Sequence, residues 1–240
     1  MLGSAMLAAF CLSCFAQDVP ETDQWGTRFN SAHAALVAKE TGQTFLNGRT
    51  IVSYSLLASG LPEDKDYILW NWMAGQPPRA MADAFVNDEG KIVSRRADPA
   101  HHIAEDPINL KLLGGRGEVK RFALISTDDE FRAFVDIVPF PLEVKNGNCR
   151  LSVETMVPDY SVVTVRASGF FPDEHLAVTI KSSDEGAQIS AQAGHDGSYV
   201  SVIAPLVKGK QSGKASIAIT STGCKLKVEF PWGQGAYHIE

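Results

Sequence analysis

The sequence predicts an all-β protein of two tandem β-sandwiches, preceded by a signal peptide and one short N-terminal helix. Three observations carry this. Turn dipeptides such as Glu89-Gly90, Asp196-Gly197 and Lys208-Gly209 separate short runs rich in Val, Ile, Tyr and Phe, the punctuation of antiparallel strands. Several of these marks recur in the same order in the two halves of the chain. Only one stretch, near the N-terminus, has a composition that favours a helix.

The first element is "MLGSAMLAAFCLSCFA", residues 1–16, at the head of an apolar run with no charge before Asp18. It reads as a signal peptide cleaved after Ala16. Its hydrophobic centre, residues 7–15, is short of the roughly 20 residues that span a bilayer, and no other segment is apolar for long enough. "CLSC" is a poor lipobox, which argues against a lipid anchor on Cys14. The mature chain is therefore expected to be secreted or periplasmic, with no membrane span. Cleavage removes no charged residue, so the formal net charge stays at -6. With Arg95 and Arg96 as its only local basic cluster, such a chain lacks the concentrated cations that phosphate binding needs, which excludes nucleic acid as a partner.

Cleavage also leaves two of the four cysteines, Cys149 and Cys224. Two cysteines in an exported chain usually pair. A bridge over their separation of 75 positions is worth roughly 4 to 5 kcal/mol in a chain-entropy treatment. The alternative is two unpaired buried thiols.

Residues 17–43 form a lead-in whose "NSAHAALVAKETGQ" (30–43) predicts a short helix capped by Asn30 or Ser31. Its expected role is to cover an open edge of the first sandwich, because an uncovered edge strand invites aggregation. A helix that binds a partner is the alternative.

The first sandwich is expected over 44–142 and the second over 143–240, because landmarks of one recur in the other. "LLASGLPEDKDYILW" matches "VRASGFFPDEHLAVTI", "VNDEGKIVS" matches "AGHDGSYVS", and "ALIST" matches "AITST". The second unit offers seven candidate strands: "LSVETMV", "SVVTVRASG", "LAVTIKS", "AQISAQAG", "SYVSVIAP", "KASIAITS" and "KLKVEFP". In "HLAVTIK" the alternation sends Leu176, Val178 and Ile180 to the core and Ala177, Thr179 and Lys181 outward. The first unit carries an insertion at 95–120, where the copies differ most.

The order of an apolar strand, "ASGF", a proline with acidic residues, a second strand, an "HDG" turn and a closing "GxAxIxI" strand resembles the bacterial immunoglobulin-like sandwiches of exported proteins. The resemblance covers most of 143–240 and, more loosely, 45–142. It rests on turn and core motifs, so it implies two immunoglobulin-like sandwiches and brings no catalytic residue. Cys149 near the start of the unit and Cys224 near its end, with no tryptophan between them, depart from the antibody pattern. The bridge reads as a tie between first and last strands.

The chemistry-bearing residues point away from catalysis. His101 and His102, with Glu105 and Asp106 nearby, are metal-ligand types, but adjacent residues of an extended segment point in opposite directions, so a solvated loop is expected. "TDDE" (127–130) lacks the alternating carboxylates of a calcium loop and reads as a hairpin turn. No Gly-x-Ser-x-Gly elbow is present, and the carboxylates cluster in turns such as "PEDKD" and "PDEH" rather than as a pair facing a cleft. No cofactor and no metal are expected. The sequence points to a non-catalytic binding, adhesion or scaffold module with a protein or glycan partner. The alternative is a small exported hydrolase or carbohydrate-acting enzyme whose site lies between the domains and draws on "HHIAED".

One strand stays open to two readings. In "YILWNWMAG", Tyr67 and Leu69 share one face and Ile68, Trp70 and Trp72 the other, and both faces are apolar where a half-solvated strand would alternate. Aligning Gly60 with Gly169 puts Tyr67 and Leu69 in the core, whereas aligning Pro62 with Pro172 puts Ile68 and Trp70 there. The remaining face packs beneath the insertion or against the second unit, or else Trp70 and Trp72 form an exposed aromatic platform for sugar rings or a protein. Trp232 is expected to be structural.

Overall fold

The computed structural model describes residues 25–73, 76–97, 103–155 and 157–237. Residues 1–16, expected to be a signal peptide, with Cys14, and His101 and His102 lie outside them. Strands β1 (Ala35–Leu46), β2 (Arg49–Ser59), β3 (Tyr67–Trp72), β4 (Arg79–Val86), β5 (Ile92–Ala97), β6 (Ile103–Pro107), β7 (Asn109–Leu112), β8 (Lys120–Ser126) and β9 (Arg132–Ile137) build the first sandwich. Its sheets are ordered β1-β2-β7 and β6-β5-β4-β3-β8-β9. Val52, Tyr54 and Leu56 of one sheet meet Tyr67, Leu69, Phe122 and Leu124 of the other in one buried cluster.

The expected helix is a strand. Asn47 and Gly48 both take positive φ, 51° and 76°, the geometry of a two-residue hairpin turn that matches strand twist. That turn folds β1 onto β2 in register from Leu46↔Arg49 to Ala35↔Ser59, with an irregularity between Glu40 and Gly42. The helix propensity of "AALVAK" is worth only tenths of a kcal/mol per residue, and a ladder of cross-strand hydrogen bonds outweighs it. The first sheet therefore begins at Ala35 rather than near residue 44. Asn30 and Ser31, expected as helix caps, serve the edge strand β9 instead. Asn30 Oδ1 accepts from the Phe134 N–H at 2.8 Å, and Ser31 Oγ accepts from the Arg132 N–H at 2.9 Å. The lead-in covers an edge, as expected, but in extended form.

The second sandwich comprises β10 (Glu143–Asn146), β11 (Cys149–Thr155), β12 (Val163–Ser168), β13 (His175–Ser182), β14 (Glu185–Gln192), β15 (Tyr199–Ile203), β16 (Ser212–Thr220) and β17 (Lys225–Gly233). Its sheets run β10-β11-β12-β15 and β14-β13-β16-β17. All seven predicted strands are present as β11 to β17, and β10 is added as the partner of β11. Leu176 and Val178 are buried while Ala177, Thr179 and Lys181 face outward. Trp232 is fully buried, and its indole N–H donates to Ser182 Oγ at 2.9 Å.

Strand order in the two sandwiches corresponds: β1-β2-β7 matches β11-β12-β15, and β4-β3-β8-β9 matches β14-β13-β16-β17. The insertion accounts for the difference. After Gly90 the chain touches β2 through a bridge from Lys91 to Leu57, as β15 touches β12. It then leaves as β5 to pair with β4 and β6, and returns to β2 as β7. Gly60 and Gly169, the glycines of the two "ASG" motifs, have φ of 67° and 88°. A Cβ on Gly60 would stand 2.1 Å from the His33 carbonyl oxygen, and one on Gly169 would stand 2.0 Å from that of Asn148, so both sites require glycine.

Candidate functional site

Tyr67 and Leu69 belong to the inter-sheet core, as the glycine alignment implies. Burial pushes the Tyr67 phenol up to about 12, and its O–H donates to the Pro62 carbonyl at 2.8 Å. On the other face Ile68 and Trp70 are 6% and 4% exposed, within a second cluster that holds Trp25, Ala123, Ile125 and Phe134. The Trp25 ring lies edge-on to Phe134 at 5.3 Å and 5.7 Å from Trp72. Among the described residues, the cover over β3 comes from the lead-in, through Trp25 and Phe29. Trp70 is closed off and forms no exposed platform. Trp72 is half-buried: its N–H donates to the Gln76 carbonyl at 2.8 Å, and the Arg121 guanidinium sits 5.1 Å over its ring.

Cys149 and Cys224 form a disulfide with Cα atoms 6.3 Å apart. Cys149 begins β11 and Cys224 directly precedes β17, so the bridge joins the two sheets of the second sandwich.

The acidic turns serve structure. Residues 127–130 form the β8–β9 hairpin turn. There Asp128 accepts from Lys65, from Ser126 Oγ at 2.6 Å and from the Glu130 N–H at 3.2 Å. The Lys65 ammonium holds the Asp128 carboxyl far below the usual range, and the lysine is raised in turn. Glu174 accepts from the Phe171 and Thr222 N–H groups at 3.0 and 2.9 Å, which lowers its carboxyl pKa. Among the described residues no group of three His, Cys, Asp or Glu side chains is placed to hold a metal ion.

A cavity of about 590 Å³ lies at the end of the first sandwich beside the connection, lined by Gly48, Arg49 and Thr50 at the β1–β2 turn, the loop 113–116, and Pro139, Phe140 and Pro141 of the connection. Backbone bonds hold this loop in place. The Gly117 N–H donates to the Phe140 carbonyl at 2.6 Å, and the Gly117 carbonyl accepts from the Thr155 N–H of β11 at 2.8 Å. The buried Tyr160 donates its phenol O–H to the Arg116 carbonyl. Burial, aided by the negative charge of Glu118, raises that phenol to about 12, so it stays a donor throughout the neutral range. Glu118 accepts from the Gly115 N–H at 2.9 Å and is paired with Lys120. No carboxylate lines the cavity, and neither Arg49 nor Arg116 has an ion-pair partner among the described residues. Sequence reasoning missed this site. "NGR" and "LGGRG" signal turns, but nothing local says that they converge.

No family model and no curated protein matches the chain. Among solved structures, a transglutaminase from red sea bream is similar at 12% identity and a TM-score of 0.24, over 86% of this chain and 32% of that one. The chain thus spans about a third of its length. A DUF3823 family protein from Bacteroides ovatus is similar at 8% identity and a TM-score of 0.22, over 83% of this chain and 98% of that one. At these TM-scores neither likeness carries an argument about this chain.

Proposed function

We propose that the protein is an exported, non-catalytic module of two immunoglobulin-like domains that binds a ligand at their junction, as an adhesion, scaffold or capture protein. The observation that carries this reading is the cavity of about 590 Å³ at the end of the first sandwich, walled in part by the connection to the second, a size common for small-molecule sites. Its wall combines apolar side chains, two guanidinium groups and a hydroxyl, and the acidic side chains nearby are engaged in turn and loop hydrogen bonds. Export is supported by the Cys149–Cys224 bridge, which persists in oxidising compartments. No described helix is long and apolar enough to cross a membrane. Duplication of one unit is supported by the matching strand orders and by the paired glycines, Gly60 and Gly169.

The test is a screen of glycans and peptides by thermal shift on the mature chain, beside a Leu113→Trp variant that fills the cavity from an exposed position. Ligands that stabilise the wild type and leave the variant unmoved support the reading. Equal stabilisation of both places the site elsewhere. Steady turnover of ester, peptide or glycoside substrates would contradict the non-catalytic assignment.

A further inference from the structure

We infer that the junction cavity takes a carboxylate-bearing sugar ring, the chemistry of a uronic acid unit in an acidic glycan; this rests on the binding role proposed above for the same cavity. The first argument is charge. The chain carries a formal net charge of -6, yet this cavity presents Arg49 and Arg116 and no carboxylate. The nearest acid in the loop, Glu118, is turned onto the Gly115 N–H and neutralised by Lys120. Two guanidinium groups without ion-pair partners among the described residues, beside one concavity, form a site of positive potential, and a guanidinium matches a carboxylate with two parallel hydrogen bonds.

The second argument is presentation. The Arg116 backbone is held from both sides, by the Tyr160 phenol on its carbonyl and by the two bonds of Gly117. Arg49 follows the tight Asn47-Gly48 turn and is paired with Leu46. Fixing the backbone in advance lowers the ordering cost of binding.

The third argument separates carboxylate from phosphate. A glycine-rich loop that cradles phosphate does so with free, convergent backbone N–H groups. Here the Gly115 N–H is spent on Glu118 and the Gly117 N–H on the Phe140 carbonyl. With these two N–H groups withdrawn from such a cradle, recognition of the anion rests on the arginine side chains. Leu113, Pro139, Phe140 and Pro141 supply the remaining wall, and their C–H and ring surfaces suit the apolar face of a pyranose better than an extended acidic peptide.

The experiment is calorimetric titration of the mature full-length chain with four probes: trigalacturonate, the same trisaccharide with its carboxyls reduced, inorganic phosphate, and a tetraglutamate peptide. Trigalacturonate is expected to bind. Its affinity should fall about tenfold or more on carboxyl reduction, and likewise in Arg49→Gln and Arg116→Gln, the loss expected for a hydrogen-bonded charge. Both arginines are exposed, so these variants should fold, and circular dichroism checks that they do. Equal binding of the reduced trisaccharide, or unchanged affinity in both arginine variants, overturns the carboxylate inference while leaving a binding cavity in place. Phosphate or tetraglutamate binding as tightly as trigalacturonate overturns the sugar ring, and no binding of trigalacturonate overturns the inference outright. Binding that survives Leu113→Trp overturns the cavity reading itself.

Discussion

The first sandwich buries both faces of its strand β3, whereas in the second the matching strand β13 buries one face and a covalent bridge links the sheets. In the first, Tyr67 and Leu69 fill the inter-sheet core and Ile68 and Trp70 are buried in a second cluster with Trp25 and Phe134. In the second, Ala177, Thr179 and Lys181 face outward, and Cys149–Cys224 joins β11 to the start of β17 in the opposite sheet. Corresponding strand orders are thus stabilised by an added apolar layer in one case and a cross-link in the other. Each offsets the small burial that a sandwich of this size achieves alone.

Breaking the bridge should have the largest effect and should fall on one side of the comparison. Replacing Cys149 and Cys224 by serine is expected to destabilise the second sandwich by roughly 4 kcal/mol through a freer unfolded chain. Hydrogen exchange read peptide by peptide should show lost protection in the β11 to β17 strands and little change in β1 to β9. Equal loss in both would mean that the sandwiches unfold as one unit.

The converse is Trp25→Ala, which removes the lid over Trp70 and should cost the first sandwich about 3 kcal/mol, as for other buried aromatics. Acrylamide should then quench Trp70 readily, against a wild type in which it is protected. Quenching that does not change would place the cover elsewhere.

The smallest effect concerns pH, and it too belongs to the first sandwich. Because Lys65 holds the Asp128 carboxyl below its ordinary 3.8, the ionised form stabilises the fold at neutral pH. That contribution is lost as pH falls below the ordinary value toward the lowered one. The thermal midpoint of Asp128→Asn should therefore lie below that of wild type at pH 7, and the gap should close on acidification. A gap that persists in strong acid would assign the effect to geometry rather than charge.

The second sandwich was legible strand by strand because its alternation, as in "HLAVTIK", and its turn residues agree with the final packing. In the first, the hairpin signal Asn47-Gly48 was present, but the alanine-rich "AHAALVAK" before it favoured a helix, and pairing with β2 overrode that local preference. The lid over Trp70 was not legible, since Trp25 meets Trp70 and Phe134 only after the chain has folded. The same holds for the cavity, whose Arg49, Arg116 and Pro139 lie far apart in the sequence.

By itself the sequence determined the all-β class and the strands of the second sandwich, marked the glycines at 60 and 169 and made Cys149 and Cys224 the expected pair, because alternation, turn conformation and cysteine economy are local or compositional properties. The tertiary structure decided which face of β3 is core, what covers Trp70, and that two arginines share one cavity. A one-residue slip in alignment exchanges the faces of a strand, and convergence of distant loops depends on long-range packing that no local pattern encodes.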